Sequence, residues 1–171
     1  MRKRLISIVL ALIMVMTMTS GVFAAGKTSK NAEQIALKNA KLAKKQISRL
    51  SVKFDRKDGE YDVKFVNKKN GARYSYEIRK ANGRITEKSI NYKHKRNTSR
   101  KKISKLAAQK VAARATGVKL AVVQKGKCKY EYDDGEGVYE VEFRNGNYKY
   151  DVEIQAPTGK VKEHSWEYRG R

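Results

Sequence analysis

Between Tyr139 and Gly159 the chain reads YEVEFRNGNYKYDVEIQAPTG, two alternating runs around a tight turn. Tyr139, Val141 and Phe143 fall on one side, and Glu140 and Glu142 on the other. After Asn145-Gly146-Asn147, Tyr148, Tyr150, Val152 and Ile154 repeat the pattern, with Lys149, Asp151 and Glu153 opposite. A period of two with one apolar face predicts half-buried antiparallel strands. Asn-Gly between such runs is a strong hairpin signal, because both residues tolerate positive φ.

The same pattern stands earlier in the chain. Tyr61-Asp62-Val63-Lys64-Phe65 matches the first strand at a spacing of 78. Tyr74-Ser75-Tyr76-Glu77-Ile78 matches the second, and Asn82-Gly83-Arg84-Ile85 matches Thr158-Gly159-Lys160-Val161, both at 76. The chain therefore reads as two copies of one unit. Its single proline and regular alternation argue against disorder, and its single cysteine excludes an internal disulfide.

Arg2-Lys3-Arg4, the apolar run Leu5 to Met18 and the small residues before Ala25 have the form of a signal peptide over residues 1–24. Cleavage after Ala24 is expected, which places the protein outside the cytoplasmic membrane, secreted or in the cell envelope. An uncleaved membrane anchor is the alternative, although the run is short for a span of ~20 residues. From Thr28 to about Arg49, Ala32, Ile35, Ala36, Ala40, Ala43 and Ile47 recur at helical spacing. Strands are expected from Leu50 to Phe54 and over 60–66, 72–79 and 84–92, with Asp58-Gly59 as a turn. Residues 93–102, KHKRNTSRKK, are polar with six bases, a linker that charge repulsion keeps solvated and that holds the units apart. Ser104 then caps a second helix that ends at Gly117. Strands follow from Lys127, through the hairpin, to Val161–Tyr168.

An alanine-rich helix, an Asp-Gly turn, Tyr139-Glu140-Val141-Glu142-Phe143, the strand Tyr148 to Ile154 and a closing Thr158-Gly159-Lys160-Val161 resemble the PepSY domain. The resemblance is clear over about 103–168 and divergent over 28–92. It implies an α+β architecture of two PepSY/cystatin-like units, each a helix packed on an antiparallel sheet of about four strands. It also implies a binding role, with a secreted peptidase as partner and inhibition as the form of regulation, in the manner of the propeptides of thermolysin-type zinc peptidases. The family brings no shared catalytic residues. Where members usually carry an acid before the Ala-x-Thr-Gly turn, this chain has Gln155, and the first unit has Lys80-Ala81-Asn82-Gly83. Nothing follows residue 171, so a propeptide joined to its own enzyme is not expected.

No catalytic, metal or cofactor site is expected. His94 and His164 lie in different units and read as solvated surface residues. No His-Glu-x-x-His motif exists. Cys128, aligned with Leu50 at a spacing of 78, reads as a structural core thiol on the same strand side as Tyr130 and Tyr132. Asp133-Asp134-Gly135-Glu136 lacks calcium-loop spacing and reads as a hairpin turn. Glu140, Glu142, Asp151 and Glu153 read as one solvated hairpin face, paired with Lys149 and Arg144. The tyrosines alternate in phase with valine and isoleucine, so they read as core, and no nucleic acid partner is expected.

The net charge of +23 is unevenly spread. Residues 27–92 hold 18 basic and 7 acidic side chains, net +11; residues 103–171 hold 13 and 10, net +3; the linker adds +6. Two functions from different classes follow. One is a non-enzymatic envelope protein that binds a protein partner, a peptidase by the resemblance. The other is an electrostatic binder of anionic cell-envelope polymers, teichoic acid or lipid headgroups, through Lys93, Lys95, Arg96, Arg100, Lys101 and Lys102.

Overall fold

The computed structural model describes residues 28–133 and 135–170. The expected signal peptide, residues 1–24, and Asp134 of the expected turn lie outside the described residues. No helix among those described is long and apolar enough to cross a membrane.

The element order is α1 (Ser29–Ala40), β1 (Ile47–Asp55), β2 (Glu60–Asn67), β3 (Arg73–Arg79), β4 (Ile85–Asn91), α2 (Lys105–Thr116), α3 (Leu120–Val123), β5 (Lys127–Asp133), β6 (Glu136–Asn145), β7 (Tyr148–Gln155) and β8 (Val161–Tyr168). All eight strands belong to one antiparallel sheet, in the order β1-β2-β3-β4-β8-β7-β6-β5. This corrects the expected fold class of two separate helix-on-sheet units. Each half ends in a strand, β4 or β8, with one side already paired. Pairing them with each other satisfies a row of backbone donors and acceptors that two open edges would leave to water. Nor does the basic linker hold the halves apart, since they share this junction.

Alternation in the sequence does settle which face each side chain takes. Directly opposed residues share a face. The row Val63, Tyr76, Lys88, Trp166, Tyr150, Phe143 crosses from β2 to β6 without changing face. Both cores therefore lie on one side of the sheet. In the first, Ala32, Ala36 and Leu37 of α1 pack with Tyr61, Val63, Phe65, Tyr76 and Ile78. In the second, Ala108 and Ala112 of α2 pack with Val123, Val141, Phe143, Val152 and Ile154. The alanines let the helices approach the sheet closely. Burying one valine- to phenylalanine-sized side chain contributes about 1.5–3 kcal/mol.

Helix ends follow local chemistry. The Thr28 hydroxyl accepts from the Asn31 backbone N–H, and the Asn31 side chain accepts from Thr28 N–H in return. Ser104 caps α2 through Ala107 N–H, and Gly117 ends it at φ 73°. Helix α1 is shorter than expected. Lys41 turns left-handed at φ 55°, a short 3₁₀ turn covers Lys44–Gln46, and Ile47 is a buried strand residue. The β6–β7 turn is also displaced by one residue. Asn145 pairs with Tyr148, leaving Gly146 and Asn147 as the central pair, with only Gly146 at positive φ.

Candidate functional site

The linker is a strap bound along the second half. Gln155 Nε2 donates to Lys95 O at 3.0 Å and to Glu136 Oε1 at 2.7 Å. Asn97 N–H donates to the same Glu136 oxygen at 3.1 Å. Lys162 Nζ lies 2.9 Å from Glu136 Oε2, and His94 Nε2 lies 3.6 Å from it. Thr158 Oγ1 donates to Gln155 Oε1, and Ile103 N–H to Ala156 O. Glu136 and Gln155 are both buried. Burial by itself would raise the Glu136 carboxyl, but hydrogen bonds from Gln155, Lys162 and the Asn97 backbone outweigh it and hold it at about 2.

Glu136 closes the expected β5–β6 hairpin opposite Asp133, opens β6 and is buried. Its role has no local signal, because its partners sit in the linker, on β7 and on β8. The first half has a counterpart in Glu60, which lies two positions further along its own strand. Glu60 meets Arg79 and Thr86, which stand 76 residues before Gln155 and Lys162.

The strap's backbone is held while its cations stand at the surface. Lys93, Lys95, Arg96, Arg100, Lys101 and Lys102 are all exposed, and none makes an ion pair among the described residues. Two stand over rings of β5: Lys102 Nζ is 4.5 Å from the Tyr130 centroid and Arg100 Cζ is 5.6 Å from that of Tyr132.

Carboxylates gather on the sheet face opposite the helices. One row reads Lys53, Asp62, Glu77, Glu87, Glu167, Lys149, Arg144 across seven strands. Four acids stand directly opposite one another with cations only at the ends, an arrangement that disfavours ionisation. Burial and then Glu87, Glu60, Asp62 and Asp58 push the Glu77 carboxyl up to about 7. Burial and Glu167 raise Glu87 as well. This row joins residues far apart in sequence, so only the strand order assembles it.

On the second half this face forms a hollow of about 270 Å³ bordered by Glu140, Glu142, Asp151, Glu153 and Glu163. Lys149 reaches Glu142 at 3.1 Å and Asp151 at 3.3 Å, as the hairpin pattern predicts. Arg144 lies opposite Lys149 and pairs with none of these acids; Lys162 pairs with Glu153 instead. Among the described residues no three His, Cys, Asp or Glu side chains gather as a metal ion requires.

His164 departs from its expected surface position. It is buried on the helix side of β8, opposite Ile90 and Val152. Burial and then Lys88 push it down to about 4, so it is neutral at pH 7. Its Nδ1 is buried without a hydrogen-bond partner. His94 is exposed, as expected. Cys128 is half-buried against the second core, and burial raises its thiol. Strand register aligns Cys128, opposite Val141, with Val52, opposite Val63, and not with Leu50. The difference arises at the hairpin: four residues separate the closing pair Asp55 and Glu60, against two between Asp133 and Glu136. Tyr61, Tyr76 and Tyr139 are core residues, but Tyr132 is 43% exposed. Tyr148, Trp166 and Tyr168 form a half-buried ring cluster, with Arg84 over Tyr168.

Residues 102–164 match the family model PepSY, described as "Peptidase propeptide and YPEB domain". A search of the curated proteins returns no match. Among solved structures, the YpeB C-terminal domain of Bacillus megaterium is similar at 13% identity and a TM-score of 0.46, covering 81% of this chain and 62% of that one. A cysteine-rich secretory protein of Staphylococcus aureus is similar at 16% identity and a TM-score of 0.37, covering 85% of this chain and 44% of that one. This chain thus spans less than two thirds of either structure's length. The match runs from the end of the strap to His164 on β8, so it is the second half of this chain that carries the similarity to the PepSY family.

Proposed function

We propose that this protein is an exported, non-enzymatic binding protein of the cell envelope, and that its PepSY half takes a protein partner, a secreted peptidase. The observation that carries this reading is the family match over residues 102–164, whose description names peptidase propeptides. The open face of the same half adds to it. No helix among the described residues covers that face, and its hollow offers carboxylates to a basic segment of a partner. The two halves are read as copies of one unit, the first diverged. The test is titration of the purified protein into a thermolysin-type zinc peptidase, following residual activity and heat of binding. Saturable binding supports the reading, and the absence of any complex sinks it.

A second reading rests on a different observation, the six exposed cations of the strap, which make no ion pair among the described residues. Held by its backbone, the strap presents them to an anionic polymer such as teichoic acid, or to lipid headgroups. Binding of this kind weakens steeply with salt and disappears when the six residues are changed to glutamine. Retention that ignores salt rules it out.

A further inference from the structure

We infer that the free edge of β5 pairs with β5 of a second copy of this chain, antiparallel about a two-fold axis at Tyr130. Strand β5 ends the sheet, so its outer backbone groups have no strand partner among the described residues. Its seven residues pair with β6 without interruption, which leaves the edge flat. Its sequence, KCKYEYD, has bases at 127 and 129 and acids at 131 and 133, symmetric about Tyr130.

Antiparallel self-pairing centred on Tyr130 sets Lys129 opposite Glu131 twice. Centring on Lys129 or on Glu131 instead sets that residue opposite its own copy, a like-charge pair, and leaves fewer opposite-charge pairs within the strand, so charge favours the Tyr130 register. Within one chain Lys129 is left to pair with Glu131 on its own strand. Tyr132, among the few large exposed apolar side chains, falls opposite Cys128 of the second copy and is covered.

The opposite edge lacks these properties. Strand β1 carries a similar triplet, Lys53-Phe54-Asp55, but at its very end, so pairing about Phe54 engages only three residues. Its bulge between Ser48 and Ser51 also breaks the edge. The β4–β8 junction within the chain already shows this construction, a symmetric antiparallel pairing centred on one residue of each strand. Lys102 and Arg100 stand over Tyr130 and Tyr132, on the helix side. Their like charges approach the axis and oppose the pairing, so the dimer is weak and concentration-dependent.

The test is sedimentation equilibrium of the purified protein over a concentration series, with Lys129→Glu, Glu131→Lys and an equimolar mixture of the two. The expected result is a monomer–dimer equilibrium that each single variant weakens at least about tenfold. The mixture regains it, because one variant then offers two acids across the axis and the other offers two bases. Circular dichroism confirms that both variants fold. A protein that stays monomeric up to its solubility limit overturns the inference. So does association that the single variants leave unchanged, or a mixture no tighter than its components. Peptidase binding is read separately, so failure here leaves the proposed function standing.

Discussion

Ser89 of β4 stands directly opposite Ser165 of β8, and the two are 76 residues apart, the spacing at which the halves of the chain match. The pairs around them are symmetric: Lys88 meets Trp166 and Ile90 meets His164; Glu87 meets Glu167 and Asn91 meets Glu163. The junction has the geometry of a two-fold dimer interface inside one polypeptide, each strand offering the same positions to the other. It also explains why both helices lie on one face, since a two-fold axis normal to a sheet preserves its sides.

The serines sit on the carboxylate face, and Ser89 Oγ donates to Glu163 at 2.8 Å. Ser89→Lys is expected to stabilise the protein by roughly 0.5–1 kcal/mol, and Ser89→Glu to destabilise it by about as much. Urea unfolding at low and high salt measures both. Equal effects of the two substitutions at low salt would contradict the acidic character assigned to this face.

Glu136→Gln is expected to cost about 1–3 kcal/mol at pH 7, because Lys162 loses its partner and the strap loses charged acceptors. The wild-type carboxyl is held at about 2, below its ordinary 4.5. Its contribution is therefore complete above about pH 4.5 and lost as pH falls through about 2. Amide exchange at Asn97 should accelerate in the variant; unchanged exchange would mean that Glu136 does not hold the strap.

Glu77 has the opposite sign. Its folded carboxyl lies at about 7, above the ordinary 4.5, so its penalty is absent below about pH 4.5 and complete above about pH 7. Glu77→Gln is expected to remove that loss and raise the melting temperature at pH 8 more than at pH 4. Melting curves across that range decide it, and an equal shift at both ends refutes the assignment.

His164 is held at about 4 against an ordinary 6.5, so its titration costs the fold nothing above about pH 6.5, and the penalty grows as pH falls below that and is complete below about 4. Replacing it by leucine also removes the unpartnered Nδ1. The variant is expected to gain roughly 1–3 kcal/mol at neutral pH and more at pH 5. A destabilised variant would show that the imidazole makes a contact worth more than its buried nitrogen costs.

What the sequence by itself determined is local. Alternation placed Tyr139, Val141 and Phe143 on the core side and Glu140 and Glu142 on the other, because successive strand residues must point to opposite faces. Ser104 and Gly117 bounded α2 because their side chain and backbone freedom act within a few residues. The tertiary structure alone decided that two four-stranded runs become one sheet, because nothing in an alternating strand names its neighbour. That choice of neighbour then set the rest. It aligned Asp62, Glu77, Glu87 and Glu167 across four strands. It buried His164 at the junction, and it left β5, with its charge-symmetric sequence, as a free edge. The strap followed the same logic: its charge was legible in sequence, but the buried Glu136–Gln155 pair that holds it exists only where β6, β7 and β8 meet.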